Sequence, residues 1–120
     1  MAERERGRVG ISRDVVTAIA GIAVSEVDGI ANLRPGDKAL RRGDGIKRYV
    51  DTEVEGESVK VTVRITVVYG NAIPNVAKEV QRRVKAEIEQ MTGLRVSGVD
   101  VDVQRLVKAE EPREEKEEEG

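Results

Sequence analysis

The chain of 120 residues has no cysteine, no histidine, no tryptophan and no phenylalanine, and its aromatic residues are Tyr49 and Tyr69. Each absence removes a class of chemistry. Without cysteine there is no disulfide framework and no thiolate metal site. Without histidine or cysteine the usual nucleophilic triads and most transition-metal sites are out of reach. Long hydrophobic runs are missing too. The longest nearly apolar stretch, VVTAIAGIAV at Val15–Val24, is about half the ~20 residues that a membrane-spanning helix needs. The first residues, MAERERGRVG, are charged and lack the apolar segment of a secretory signal. The expectation is a soluble chain, compatible with a reducing cytosol, with one core in one domain.

What is present is charge, unevenly spread. The last thirteen residues, KAEEPREEKEEEG, carry seven glutamates against three basic residues. Residues 1–107 hold eighteen basic and sixteen acidic residues, a near balance that differs from the basic face of a nucleic-acid binder. The tail, 108–120, has only Ala109 as an apolar residue and cannot repay the entropy of ordering. It is expected to be a disordered acidic tail, with solubility a better explanation than docking.

The pattern before the tail predicts an α+β domain over residues 1–107. A first helix begins at Ser12, whose hydroxyl can cap a backbone N–H, with Asp14 in the first turn and Gly29 as its stop. Val15, Val16, Ile19, Ala20, Ile22, Ala23 and Val27 cover more than one stripe, and Thr17, Gly21 and Ser25 recur every four residues on another side. So little polar surface implies cover on two sides, the second from the domain's own sheet edge or from another molecule. Residues 34–45, RPGDKALRRGDG, read as a flexible basic loop. Solvation is its default role; holding an anionic partner is the sharper one. Thr17, Gly21 and Ser25, with Arg41 and Arg42 of this loop, form the candidate interaction surface.

A hairpin follows. Ile46, Val50, Thr52 and Val54 share one strand face and the chain turns near Gly56. Val59, Val61, Val63, Ile65, Val67 and Tyr69 then alternate with polar residues, the strongest structural signal in the chain. A second helix is expected from Ile73 to Thr92, burying Ala77, Val80, Val84, Ile88 and Met91, with Pro74 in its first turn and Gly93 as its stop. The last strand changes parity at Ser97-Gly98, which predicts a β-bulge, and buries Val99, Val101 and Val103. Strand, helix, strand with short joints is a crossover unit, so its strands should be parallel. The expected architecture is a two-layer sandwich: a mixed three- to four-stranded sheet with two helices packed on one face.

The junction VYGNAIPNVAKEV (68–80) turns from a strand through glycine into a helix, as phosphate sites do. It lacks the further glycines of a P-loop or a dinucleotide fingerprint and reads as a corner. Asp100 and Asp102 read as a solvated pair on the wet strand face. No catalytic, cofactor-binding or metal-binding residue is assigned, and the chain is expected not to be an enzyme. The alternative function is RNA binding by a small K-homology-like domain. That would need stacking aromatics and a basic groove, or a GxxG loop between helices; Lys47, Tyr49, Lys60 and Arg64 are the residues available for the sheet-face version.

The order of segments is recognisable. GRVGIS leads into a helix ending EVDGI, and a variable loop precedes VKVTVRITVVYG and IPNVAKEVQRRVKAEIEQMTGLRVSGVDVDV. From Gly7 to Val107 the chain closely resembles the alkaline shock protein family, the envelope-stress proteins of Gram-positive bacteria. Tyr69-Gly70, Val80-Gln81 with Val84, and Met91-Thr92-Gly93-Leu94 carry the resemblance most specifically. It implies a non-enzymatic cytoplasmic protein of cell-envelope homeostasis with no cofactor or small-molecule substrate. Its implied partners are copies of itself or a membrane-anchored relative holding it at the inner face of the membrane. Nucleic acid is not an expected partner.

Overall fold

The computed structural model describes residues 8–41 and 43–109, without the side chains at 39, 41, 43 and 44. Two long helices lie on one face of a three-stranded mixed sheet. The first helix, α1, spans Arg13–Ser25, and the Ser12 hydroxyl accepts the Val15 N–H at 3.3 Å, as its N-cap position requires. The helix ends at Ser25, not at Gly29. Gly29 (φ 92°) instead turns the chain so that Ile30 can bridge Val67. Asn32 extends this pairing: its amide donates to the Arg64 carbonyl and its carbonyl oxygen accepts the Thr66 N–H.

Residues 34–45, read above as a loop, contain two single-turn helices, α2 (Lys38–Arg41) and α3 (Gly43–Ile46). Four residues are too few to show a helical period in sequence, and their apolar members, Leu40 and Ile46, looked isolated for that reason. Ile46 consequently enters the core from a helix and not from the strand face assigned to it. Strand β1 covers Val50–Glu55 and pairs antiparallel with β2 (Ser58–Val68), from Val50 opposite Val63 to Glu55 opposite Ser58. Gly56 adopts φ 63° in the connecting turn, a conformation open to glycine at little cost.

β2 is the central strand, and its alternation holds: Val59, Val61, Val63, Ile65 and Val67 are all buried. Each is worth roughly 1.5–3 kcal/mol of transfer free energy. Helix α4 spans Ile73–Thr92 with Pro74 in its first turn and Gly93 in the left-handed cap, as expected. Its buried face is Val76, Val80, Val84 and Ile88. Met91, expected in the core, is 66% exposed, because the buried line advances by four residues and position 91 falls to its side. Strand β3 (Arg95–Val107) returns parallel to β2. Val59 faces Val96 and Lys60 faces Gly98, so Ser97 is the bulged residue foreseen. A second irregularity was not foreseen: Ile65 faces Val103 and Thr66 faces Arg105, which leaves Gln104 extra.

Candidate interaction surfaces

The stripe of small residues on α1 is closed from within the chain. Thr17 is buried, and its hydroxyl shares a 3.0 Å hydrogen bond with that of Thr52 on β1 while donating to the Arg13 carbonyl. A Cβ on Gly21 would lie 2.1 Å from Ile46 Cδ1 and 3.2 Å from Leu40 Cδ2. With no side chain at Gly21, the ends of Ile46 and Leu40 seat directly against the backbone of α1. Ser25, half-buried, donates to the Ile22 carbonyl at 2.6 Å. The second cover of α1 is therefore its own chain, through β1 and the α2–α3 cap. The Arg41 side chain and the whole of Arg42 lie outside the described residues, as does the tail beyond Ala109.

Exposed apolar surface lies elsewhere. On α1 it is Val15 and Ile22, seven residues apart and so on one face. The Arg83 guanidinium meets Glu26 at 3.0 Å and places the end of α1 against the middle of α4.

The larger opening is at the end of β3. Along its helix-facing side, exposure rises from 4% at Val96 and 8% at Val99 to 38% at Val103 and 52% at Leu106. A straight helix crossing a twisted sheet cannot cover a 13-residue strand along its whole length, and α4 stays with the first half. Tyr69, at 69% exposure, stands past the end of β2 on the same side, and Ile73 opens α4 close by. Val103 and Tyr69, both expected in the core, belong to this open end. Val54, at the hairpin's far end, is likewise more exposed than its face predicted.

β3 is also an edge strand, with β2 on one side and no strand on the other among the described residues. In its first half, α4 side chains satisfy the outer edge: the Gln81 amide donates to the Val99 carbonyl at 3.0 Å, and the Glu89 carboxylate accepts the Val96 N–H at 2.9 Å. Arg95 N–H bonds the Glu57 carbonyl and the Val107 carbonyl accepts the Tyr69 N–H, so both face inward. By alternation Val101, Val103 and Leu106 present their backbone groups outward. A free backbone edge and an apolar side thus coincide over the last third of the strand. The sequence signal that could have located it is the pair Leu106-Val107, apolar residues continuing beyond a second break in parity.

The opposite face of the sheet is polar, and its lysine and arginine on β2 are each paired with a carboxylate. Lys60 lies 3.5 Å from Asp100, and Arg64 pairs with Asp51 while donating to the Arg48 carbonyl. Tyr49 packs partly against the core, so it is not a free stacking platform. A cleft of about 400 Å³ beside β1 is lined by Arg13, Lys47, Asp51, Glu53 and Lys60, over the Thr17–Thr52 pair. Among the described residues no group of three acidic, histidine or cysteine side chains could hold a metal ion. No described helix is long and apolar enough to cross a membrane.

Residues 1–108 match the alkaline shock protein 23 family, described as having a cell envelope-related function. The chain belongs to this family. Two Bacillus subtilis relatives, YqhY and YloU, are 32% and 33% identical to it, over 81% and 82% of this chain and 75% and 87% of their own lengths. A Streptococcus pyogenes stress response regulator gls24 homolog is 28% identical over 82% of this chain and 58% of its own length. Among solved structures, a MamM-CTD variant matches with a TM-score of 0.49 at 14% identity, over 78% of this chain and 99% of that one.

Proposed function

We propose that this member of the family works by binding proteins, not by catalysis. Its contacts, with copies of itself or with a membrane-anchored relative, serve cell-envelope homeostasis under stress from the cytoplasmic side. The observation that carries this reading is the open end of β3. Unpaired backbone groups invite another strand, and Val103, Leu106, Tyr69 and Ile73 offer apolar area beside them. Catalysis has less support: of the two carboxylates in the β1 cleft, Asp51 is already held by Arg64. RNA binding on the sheet face is disfavoured by the ion pairs that occupy Lys60 and Arg64.

Sedimentation velocity over a wide concentration range tests the self-association arm. The wild-type chain should associate, and Val103→Lys with Leu106→Lys should shift it toward monomer while circular dichroism stays unchanged. A wild type that is monomeric at every concentration removes that arm. Salt-sensitive retention on single-stranded RNA would overturn the reading in favour of nucleic acid.

A further inference from the structure

The second irregularity of β3 changes what its open end can pair with. Before it, the outward backbone groups belong to odd-numbered residues: the Val99 carbonyl points away from β2 and accepts the Gln81 amide. After it they belong to even-numbered residues, because the Val107 carbonyl points inward and accepts the Tyr69 N–H. The extra residue, Gln104, accounts for the change. A bulge on an edge strand commonly turns the edge away from neighbours. Here it also makes the edge self-complementary.

Two copies of one strand pair antiparallel about a two-fold axis only where outward residues meet outward ones. In a regular strand, an axis falling between two residues sets outward against inward. With the bulge, an axis between Val103 and Gln104 sets Val101 against Leu106 of the second copy, both outward, and Asp102 against Arg105 of the second copy, both inward. The faces match as well. Val101 and Leu106 lie on the helix side, opposite Val63 and Val67 of β2, and Asp102 and Arg105 lie on the polar side, opposite Arg64 and Thr66. Both charged side chains are exposed, and among the described residues neither has an ion-pair partner in its own chain. Other registers are poorer. An axis through Asp102 sets that residue against itself, and one through Val101 sets Asp100 against Asp102, like charges that oppose pairing. An axis through Val103 sets outward Val101 against inward Arg105. One between Gln104 and Arg105 leaves Asp102 without a cation and runs Val101 past the strand's end at Val107.

We propose that the open end of β3 is a two-fold interface between copies of this chain, in which residues 101–106 pair antiparallel and Asp102 and Arg105 form two reciprocal ion pairs. This rests on the reading of that end as a binding surface and adds the partner and the register. The ladder stops near Val101, since Gln81 already holds the next outward carbonyl, at Val99. The two three-stranded sheets join into one, with the long helices of both copies on the same face. Val103 and Leu106 of both copies then line a shared trough between the two α4 helices.

Charge reversal in the full-length chain tests the register. Asp102→Arg sets cation against cation at both pairs, and Arg105→Asp sets anion against anion. In sedimentation at low salt each single variant, folded by circular dichroism, should dimerise at least about fivefold more weakly than wild type. Mixing the two variants restores opposite charges at both pairs, so a mixed dimer should form about as tightly as the wild-type one. High salt should shrink these differences. Because the chain has no cysteine, Asp102→Cys and Arg105→Cys chains can also be mixed and oxidised. Residues opposite one another in this way have Cα atoms ~4.5 Å apart, within disulfide reach, so a mixed covalent dimer should form. Neither chain alone should cross-link, since identical residues would lie about 10 Å apart along the strands. The proposal is overturned if wild type stays monomeric, if the mixture associates no better than either variant, or if Arg105→Cys cross-links alone, which marks a shifted register. Association that Val103→Lys with Leu106→Lys abolishes but charge reversal leaves unchanged overturns this register while the binding role of the β3 end stands. Association insensitive to both sets removes that role as well.

Discussion

The terminal methyl of Ile46 occupies the space where a side chain on Gly21 would begin, 2.1 Å from an ideal Cβ. Gly21 therefore behaves as a socket in α1 for the α2–α3 cap. Gly21→Ala gains about 1 kcal/mol of helix propensity while forcing the flexible end of Ile46 aside, so it should be near neutral. Gly21→Leu should cost about 1–3 kcal/mol or more through overpacking, as read from urea denaturation. Because the socket is filled by the same chain, the association state of the folded fraction should not change.

Exposure along β3 sets a second expectation. Val99 is buried and Leu106 is half out in solvent. Val99→Ala should cost roughly 1–3 kcal/mol. Leu106→Ala should stay within about 0.5 kcal/mol, as for other surface changes. Thermal unfolding at low protein concentration, where association does not contribute, checks both.

The Thr17–Thr52 pair predicts an asymmetric cycle. Thr17 has a second partner in the Arg13 carbonyl, and Thr52 has none but Thr17 among the described residues. Thr52→Val should therefore cost no more than about 1 kcal/mol. Thr17→Val strands a buried hydroxyl and should cost about 1–3 kcal/mol. The double variant should recover part of that loss, so the coupling energy of the cycle should be clearly non-zero.

Glu79 accepts hydrogen bonds from Arg82 at 3.1 and 2.5 Å. That bond chiefly holds its carboxyl below the ordinary value of 4.5, the charges of Arg82 and Arg83 adding to the effect and desolvation opposing it. A depressed carboxyl stabilises the fold fully above its unfolded pKa, and the contribution fades as pH falls through its folded value. The effect should be small, since the pair is exposed to solvent. Carbon-detected titration should find Glu79 below the ordinary value, and Arg82→Gln should raise it; an unmoved Glu79 would mean the bond does not persist in solution.

The sequence by itself determined the elements with a sustained period. Five alternating aliphatic residues made β2 unambiguous, because a one-residue slip would turn them all to water. The limits of helix α4 were legible, since Pro74 and Gly93 mark them chemically, and Val80, Val84 and Ile88 were read as buried correctly, but the first turn buries Val76 and leaves the expected Ala77 half-buried. Ser97-Gly98 declared a bulge by reversing parity. Where period and punctuation were weak, local pattern carried too little information. The α2–α3 cap is held by the seating of Leu40 and Ile46 at Gly21, contacts between residues distant in the sequence that no local pattern shows. Tertiary structure also decided which apolar residues remain uncovered. Tyr69, Val103 and Leu106 are as apolar in the sequence as their buried neighbours, and their exposure follows from where a straight helix parts from a twisted sheet, while Met91 is exposed because it falls beside the buried line of α4. The candidate surface moved as well, from the stripe at Thr17 and Gly21, which β1 and the α2–α3 cap seal, to the open end of β3.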